Sequence, residues 1–485
     1  MTKDYSENRV MLSEVEAVGS AYTRASTSLS VTQSYSHFNS KHSKPKFHLN
    51  FFTKIFLLLT IVNCQSSIVN AQSDSLDYYK PDYIRFDDFV YRNNIKTVLL
   101  EGANAELSDA AIELNSTQQL KLSFDELDAD IKDYSYTLMH CTHDWQPSPV
   151  ADNRYLQGFS TNKIFDYKAS STALMPYVHY NLIFPDDVVK PSISGNYIIK
   201  VFDSSYPDSI ILTKRFIVFE RRVSVESNIH QATFADKHFS HQEIDFTINT
   251  NGANIVNAYQ DLHVVIQQNR RWDNAITNLK PLLVNGNVLD YDYNDENCFD
   301  GGNEFRTFDI RSIRYHSERI QSVVLNPATQ QYEVFLLPDE RISSQRYSTQ
   351  NDINGKYLIK YTEGHNSETD GDYVKVHFHL KIRYPEEGGT MHVFGALTNW
   401  KADASSRMNY NDSTHEYELT LLLKQGYYNY QYAFVADGKT VADASVIEGS
   451  HNETENDYTI LAYLYSISKG CDELIEIQKT NSSRK

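Results

Sequence analysis

Long apolar runs, closely spaced cysteines and tryptophan are scarce in this sequence. The most apolar stretch, Ile55–Val62, is far shorter than the roughly 20 residues that a membrane-spanning helix needs, and no later segment is apolar enough for a helical anchor. The 4 cysteines, Cys64, Cys141, Cys298 and Cys471, are too widely spaced for a small disulfide framework. Beyond Cys64 at most one bridge can form, and buried free thiols are the alternative.

The chain also lacks the motifs that carry common chemistry. It contains no G-x-S-x-G nucleophile elbow, no H-E-x-x-H metal motif and no phosphate-binding G-x-x-x-x-G-K-[ST] loop. An acidic stretch from Asp290 begins like a calcium loop, but Asp295 and Gly301 stand where that loop needs glycine and glutamate. We therefore predict that the protein is not an enzyme and has no catalytic residue or cofactor.

The most metal-like cluster is His140-Cys141-Thr142-His143-Asp144. On a strand, His140 points to the opposite face from Cys141 and from His143. A closed zinc site needs four convergent ligands, and no second C-x-x-C or H-x-x-x-H supplies the others. We predict no metal here, and instead packing and hydrogen bonding at the end of a strand.

Acidic residues outnumber basic ones, 63 to 45, which gives a formal net charge of −18. Nucleic acid phosphates and anionic lipid head groups repel such a surface. We therefore expect no nucleic acid partner, and favour a protein or a neutral ligand.

A secretory signal peptide is predicted around the one apolar run. Three lysines precede Ile55–Val62, and the small-residue pattern Val69-Asn70-Ala71 follows it. We predict cleavage after Ala71, which leaves a soluble protein outside the cytoplasm. Residues 1–43, rich in Ser, Thr and Tyr, are predicted to be disordered and to reflect an over-extended start. Lipoprotein processing at Cys64 is the alternative to cleavage after Ala71.

Strand signals dominate the rest of the chain, where 34 Tyr and 24 Phe suit half-buried strand faces. The clearest alternation is Val374–Ile382, whose even-numbered residues are apolar and whose odd-numbered residues are Lys or His. The other predicted strands are Ile95–Glu101, Leu120–Phe124, Tyr134–Cys141, Asn196–Phe202, Ile210–Glu220, Val223–Ile229, Glu243–Asn249, Leu262–Gln267, Tyr417–Leu423, Tyr428–Val435 and Tyr458–Tyr465. Short strands with almost no helical periodicity predict an all-β fold of serial antiparallel immunoglobulin-like β-sandwich domains.

Domain boundaries are predicted at Arg221 and at the polar, glycine-containing stretch Thr362–Asp372. The expected organisation is a leader with signal peptide (1–71), an N-terminal sandwich (84–220), a middle β domain (221–362), a C-terminal sandwich (372–466) and a frayed tail (467–485).

Nine short strings occur in the order and spacing of one family. They are Phe124-Asp-Glu-Leu127, His140-Cys-Thr-His-Asp-Trp145, Tyr155-Leu-Gln-Gly-Phe159, Ser194-Gly-Asn-Tyr197, Gln268-Asn-Arg-Arg-Trp-Asp273, Gly301-Gly-Asn-Glu-Phe-Arg306, Asp352-Ile-Asn-Gly355, Lys424-Gln-Gly-Tyr-Tyr-Asn-Tyr430 and Glu448-Gly-Ser-His-Asn-Glu-Thr-Glu-Asn456. Over residues 84–472 the chain thereby resembles the type IX secretion system plug proteins of Bacteroidota, long catalogued as a domain of unknown function. The resemblance implies a periplasmic protein at the inner face of the outer membrane, whose partner is the translocon β-barrel that it closes.

A second resemblance concerns the C-terminal sandwich. Val393–Trp400 and Tyr428–Gly438 are similar to the early-set sandwich used as a glycogen-binding module. That resemblance implies that Trp400 packs the sandwich, while other, exposed aromatics would bind sugar. Only the packing tryptophan is matched, so we do not expect glycan binding. A glycan-binding accessory protein is the alternative function, and exposed coplanar aromatics in residues 392–436 would favour it.

Four residues are candidate partner contacts. Trp272 stands among Arg and Asp residues, a mixture typical of an interface anchor; packing at a covered rim of the sandwich is an equal alternative. Glu304, Phe305 and Arg306 follow the turn Gly301-Gly302, and Arg306 can pair either with a buried carboxylate or with a partner's backbone.

Three aromatic residues of the strings, Trp145, Tyr155 and Phe159, are instead predicted to pack in the core or between domains.

Overall fold

The computed structural model describes residues 80, 82–251 and 253–483. The predicted disordered leader, signal peptide and Cys64 lie outside these residues. The all-β fold class is confirmed, because mostly antiparallel sheets packed face to face contain nearly half of the described residues, whereas helices are few and short. Within that part, no helix has the length and apolarity needed to cross a bilayer.

The N-terminal sandwich contains twelve strands and one short helix. They are Phe89–Val90 (β1), Ile95–Gly102 (β2), Ala111–Glu113 (β3), Leu120–Glu126 (β4), Tyr134–Cys141 (β5), Asp152–Tyr155 (α1), Leu156–Gly158 (β6), Asn162–Lys163 (β7), Asp166–Ala169 (β8), Val178–Phe184 (β9), Val189–Pro191 (β10), Gly195–Asp203 (β11) and Tyr206–Phe219 (β12). One sheet has the order β1-β12-β11-β5-β7, with β3 parallel to β12, and the other has the order β2-β4-β9-β8. Tyr180 and Phe124 from the second sheet meet Tyr197 and Phe216 from the first in a shared core.

The middle sandwich begins with seven further strands. These strands and one helix are Ser224–Gln231 (β13), His241–Asn249 (β14), Ala258–Asp261 (α2), Leu262–Gln268 (β15), Ile276–Leu279 (β16), Leu283–Asn285 (β17), Val288–Tyr291 (β18) and Cys298–Asp300 (β19). One sheet has the order β13-β14-β18-β17, with β19 also paired to β14.

The third sandwich is inserted before the middle one is complete. Its elements are Arg306–Asp309 (β20), Ile320–Asn326 (β21), Gln331–Leu336 (β22), Asp339–Glu340 (β23), Tyr357–Ile359 (β24), Ser367–Asp370 (α3), Tyr373–Lys381 (β25), Gly389–Phe394 (β26), the 3₁₀ helix Ala396–Thr398, Asn409–Asn411 (β27), Glu416–Lys424 (β28), Gly426–Ala436 (β29) and Ser445–Glu448 (α4). One sheet has the order β20-β29-β24, with β26 also on β29, and the other has the order β21-β22-β25-β28-β27. As predicted, Val374, Val376, Phe378 and Leu380 of β25 are buried.

The last two strands, Asp457–Ser466 (β30) and Cys471–Asn481 (β31), return to the middle sandwich. There they complete the sheet β16-β15-β30-β31. The predicted frayed tail is therefore wrong, because Leu474, Ile475 and Ile477 are buried. The neighbouring Glu473 and Glu476 pair with arginines. The division of the middle and C-terminal domains is also wrong, since the middle sandwich is built from two separate parts of the chain.

The stretch predicted as a linker, Thr362–Asp372, lies inside the third sandwich between β24 and β25. Its polar groups contact the N-terminal sandwich: Ser171 Oγ donates to Asp370 Oδ1 at 2.6 Å, and the Tyr177 hydroxyl donates to Gly371 O at 2.9 Å. Polar composition here therefore reflects contacts between sandwiches, and the linker prediction is wrong.

Buried polar pairs join the sandwiches. The Tyr463 hydroxyl of the middle sandwich donates to Asn196 Oδ1 of the N-terminal one at 2.8 Å. Lys424 Nζ of the third sandwich lies 2.7 Å from Asp125 Oδ2 of the N-terminal one, with both side chains almost fully buried. Each sandwich is thus held at defined polar atoms as well as by apolar packing.

Candidate functional site

Trp272 packs at the interface between the middle and N-terminal sandwiches. Its ring meets that of Trp145 edge to face, with centroids 4.9 Å apart and planes at 85°. The Arg215 guanidinium lies 4.4 Å from the Trp145 ring centroid and 5.5 Å from that of Trp272. Aromatic and cation–π contacts of this kind stabilise an interface beyond the area that they bury. Trp272 therefore has a structural role within the chain.

Arg306 pairs with buried carboxylates, the first of the two alternatives that its sequence context left open. Its Nε donates to both Glu448 oxygens at 3.0 Å, and its Nη1 donates to Asp339 Oδ1 at 2.9 Å. Burial disfavours the charge on Arg306, but Glu448 and then Asp339 outweigh it and raise the pKa of the guanidinium. The hydroxyls of Tyr430 and Tyr432 donate to the other Asp339 oxygen.

Glu304 and Phe305 are also engaged inside the chain. Glu304 is buried and accepts hydrogen bonds from the Tyr347 hydroxyl and from the Glu455 amide. The Phe305 ring meets Trp400 edge to face at 5.9 Å. Contacts within the chain thus give a structural role to each of the four candidate residues, Trp272, Glu304, Phe305 and Arg306. That any of them also contacts a partner stays a prediction.

The His140–Asp144 cluster lies where the N-terminal and middle sandwiches meet. His143 donates its backbone amide to Asp472 Oδ2 and places Nδ1 at 2.9 Å from the same oxygen, while its ring stacks on His263 with centroids 3.8 Å apart. His143, His263 and Asp472 bring potential ligand atoms within 4.8 Å of one another. Because the two rings are within 15° of parallel, one ion cannot lie in both ring planes. This arrangement favours packing and hydrogen bonding.

Cys141, Cys298 and Cys471 are free thiols. The single bridge that the sequence allowed is therefore not formed between them.

Trp400 packs inside the third sandwich. Its ring lies edge to face with Phe394 and Phe305, and a Cβ on Gly355 would come within 2.3 Å of it. Gly355 has φ +77°, so the Asn354-Gly355 turn brings the backbone against the indole. Throughout residues 392–436, all of which are described, no large aromatic side chain is exposed. This observation does not favour the glycan-binding alternative.

Phe159 lies on the surface, although packing was predicted; Trp145 and Tyr155 are buried as expected. The preceding Gly158 has φ +98°, and a Cβ there would lie 1.9 Å from Val188 O. Only glycine fits this position, and the turn that it makes directs the next side chain outward. The Phe159 amide donates to Val188 O at 3.2 Å, so its backbone is held while its side chain is 72% exposed.

Residues 158–169 run from one sheet of the N-terminal sandwich to the other along an open edge. β7 pairs with β5 in the first sheet, and β8 pairs with β9 in the second. Phe159, Phe165 and Tyr167 are 72%, 80% and 38% exposed, and we name these three residues the aromatic edge. Exposed aromatics on a hydrogen-bonded backbone are typical of interface anchors.

Sequence analysis missed Phe165 and Tyr167. The available signal was the Gly-Phe pair followed by two further aromatics within eight residues, among Ser, Thr, Asn and Lys. Ile164 of the same segment is buried in the core, so the polar composition alone does not tell which of its apolar residues are exposed.

Comparison with known proteins identifies the family. A family model described as "Type 9 secretion system plug protein 1st domain" matches residues 95–220, which lie within the N-terminal sandwich that bears the aromatic edge. A crystal structure of a hypothetical protein from Parabacteroides merdae ATCC 43184 is similar with 33% identity and a TM-score of 0.79, covering 82% of this chain and 100% of that one. No protein of curated function matches. The chain belongs to the type IX secretion system plug protein family.

Proposed function

We propose that this protein, which its family connects with type IX secretion, closes the periplasmic opening of the outer-membrane translocon β-barrel. It acts by occlusion, without catalysis, after export and cleavage following Ala71. The observation that carries the proposal is that buried contacts join the three sandwiches, since a plug must keep its shape across an opening much wider than any side chain.

The contacts of Asp125 illustrate this. Its Oδ2 accepts from Lys424 Nζ at 2.7 Å and from the Tyr373 hydroxyl at 2.6 Å, both from the third sandwich. Its Oδ1 lies 2.6 Å from His179 Nδ1 of its own sandwich. A buried ion pair contributes little net stability, but separating its partners is costly, so it favours one relative position of the two sandwiches.

The aromatic edge is the proposed contact with the barrel. Its backbone is held by β7, β8 and the Val188 carbonyl, so little side-chain or loop ordering is required on binding. An interface of about 1,200–2,000 Å² is stable yet can be displaced by a competing partner. Phe159 and Phe165 would be its central anchors.

A deletion strain tests the function. We expect sensitivity to vancomycin, which an intact outer membrane excludes, while secretion of type IX cargo continues. Unchanged permeability together with abolished secretion would overturn occlusion and would instead indicate a role in assembly.

Complementation tests the contact surface. The double variant Phe159→Ala/Phe165→Ala should fold normally but fail to co-purify with the barrel or restore vancomycin resistance, since each lost anchor costs about 2 kcal/mol or more. The matched control Tyr315→Ala/Tyr384→Ala removes two equally exposed aromatics from the third sandwich and should restore resistance. Equal complementation by both would exclude the aromatic edge as the contact.

A further inference from the structure

The outer face of the middle sandwich carries a row of potential metal ligands. In the register of the sheet, His230 of β13 lies opposite Glu243 of β14, and Glu243 lies opposite Cys298 of β19. Directly opposed residues of neighbouring strands point to the same face, as do residues two apart, so Asp245 joins this row. The core faces of the same strands are occupied by Ile229, Ile244 and Phe299.

Glu243 is the unusual member of the row. It is only 1% exposed, although no basic side chain forms an ion pair with it among the residues that the structure describes. The Thr233 amide, from the connection that covers it, donates to Oε2 at 2.6 Å. In that same part of the chain, Oε1 has no hydrogen-bond donor. An oxygen that accepts no hydrogen bond, on a side chain this buried, is available to a cation.

His230 is oriented as a ligand would be. Its Nδ1 lies 2.8 Å from Gln231 O, and its Nε2 lies 2.6 Å from Asp245 Oδ2. A backbone carbonyl on one ring nitrogen is the usual way in which a metal-binding histidine is held. Asn297 Nδ2 donates to Asp245 Oδ1 at 3.0 Å and so positions the second carboxylate.

We propose that His230, Glu243 and Asp245 bind one divalent ion of the zinc class, and that Cys298, opposite Glu243 in the register of the sheet, turns its Sγ from Asn294 O toward the ion as the fourth ligand. The potential ligand atoms of the first three lie within 4.8 Å of one another. Imidazole, carboxylate and thiolate suit zinc, whereas calcium and magnesium prefer all-oxygen sites. On binding, the ion displaces the proton between Nε2 and Asp245 Oδ2 and the proton of the Cys298 thiol, and both protons pass to solvent.

Cys298 and the surrounding charges fit this assignment. Cys298 is partly buried, and its thiol donates only a weak contact to Asn294 O at 3.6 Å, which a metal ion can replace. Lys237, on the connection between β13 and β14, is paired with Asp295. The side chains of His230 and Asp245 are 33% and 21% exposed, which leaves an entry path from solvent.

Two other clusters in the described chain combine histidine with carboxylates. In the first, His143 and His263 are stacked almost in parallel. In the second, His379, Glu416 and Glu418 are all partly exposed on a strand face, where the contact between His379 and Glu416 and solvation by water account for them. The row around Glu243 alone contains a carboxylate buried without an ion-pair partner.

Calorimetric titration of the metal-free chain from Gln72 onward with zinc chloride tests the site. We expect a micromolar or tighter site that Glu243→Gln and His230→Gln each weaken at least tenfold, while calcium binds far more weakly. The matched control Glu418→Gln, in the exposed cluster, should leave the affinity unchanged. Zinc binding that both variants retain, or calcium binding as tight as zinc, would overturn the proposal.

Cobalt substitution tests the fourth ligand. The wild-type chain should show an ultraviolet sulfur-to-cobalt charge-transfer band that Cys298→Ser removes. Absence of the band in the wild type would exclude Cys298. Glu243 is buried, so its replacement can disturb folding, and circular dichroism of the metal-free variants checks for this. If Glu243→Gln does not fold, His230→Gln, at a partly exposed position, decides the outcome.

Discussion

Replacing Lys424 with methionine removes the charge from the most deeply buried ion pair of the described chain. The Lys424 and Asp125 side chains are 1% and 0% exposed. Lys424 Nζ also donates to Glu368 O at 2.6 Å and lies 4.2 Å from the Tyr177 ring centroid. Methionine has a similar length and retains the packing against Tyr177, so the change tests mainly the charge.

The expected cost comes from the carboxylate that remains. Removing one partner of a buried pair costs about 3–5 kcal/mol, because the other charge is left uncompensated. His179 and Tyr373 still contact Asp125 and partly compensate its charge. We therefore expect the free energy of unfolding to fall by about 3 kcal/mol. Asp125→Asn/Lys424→Met leaves no buried charge and should lose less than Lys424→Met alone.

The same variant should change the pH dependence of stability. Burial raises the pKa of Asp125, but Lys424, followed by His179, more than offsets it and holds the pKa below its ordinary value. This contribution is present above the unfolded pKa of about 3.9 and is lost as pH falls through the folded value. Without Lys424, burial raises the pKa of Asp125, and protonation of this carboxylate removes its buried charge. The difference in unfolding free energy between the variant and the wild type should therefore become smaller from pH 7 to pH 5.

Urea unfolding of the chain from Gln72 onward, followed by circular dichroism, measures these changes. Lys121→Met is the matched control, since its pair with Glu368 lies at the same interface with side chains 25% and 33% exposed. We expect the control to lose less than about 1 kcal/mol. An equally small loss in Lys424→Met would refute the argument that this pair holds the sandwiches together.

Three further changes test individual contacts. Gly158→Ala should lower the free energy of unfolding, measured by thermal unfolding, by about 1–3 kcal/mol, because φ is +98° and the new Cβ would meet Val188 O. The control Phe159→Ala should change it by less than about 0.5 kcal/mol. Trp272→Ala should lower the free energy of unfolding in urea by about 2–4 kcal/mol and increase proteolysis between the N-terminal and middle sandwiches. Unchanged proteolysis would contradict the conclusion that Trp272 holds these two sandwiches together. Arg306→Met should lower the free energy of unfolding in urea by about 3–5 kcal/mol, since it leaves Glu448 buried without a basic partner and Asp339 with Arg319 alone; an unchanged stability would show that Glu448 is neutralised otherwise.

Much of the strand content could be predicted from local pattern. Tyr134–Cys141 has the predicted bounds, and Tyr373–Lys381 differs from its prediction by one residue at each end. Alternation between a buried and a solvated face leaves its mark on the residues of the strand itself, so no partner needs to be known. The family strings are likewise readable without a structure, because they are short and retain their order.

The predicted site residues show the limit of such reasoning. Trp272 and Arg306 have the composition of interface anchors, and both do lie at contacts, but these contacts are within the chain. Composition indicates that a side chain needs a partner; it does not say whether that partner belongs to the same chain. Phe159 shows the reverse, since the positive φ of Gly158 directs an apolar side chain to solvent.

The sequence by itself thus determined the all-β class, most strands and the family. The tertiary structure decided that β30 and β31 complete the middle sandwich, that the aromatic edge faces solvent, and that His230, Glu243 and Cys298 form one row. Each of these depends on which strands become neighbours across long stretches of chain. That choice minimises the free energy of the assembled sheets as a whole, and local periodicity, which records only whether a face is buried, contains no information about the identity of the neighbour.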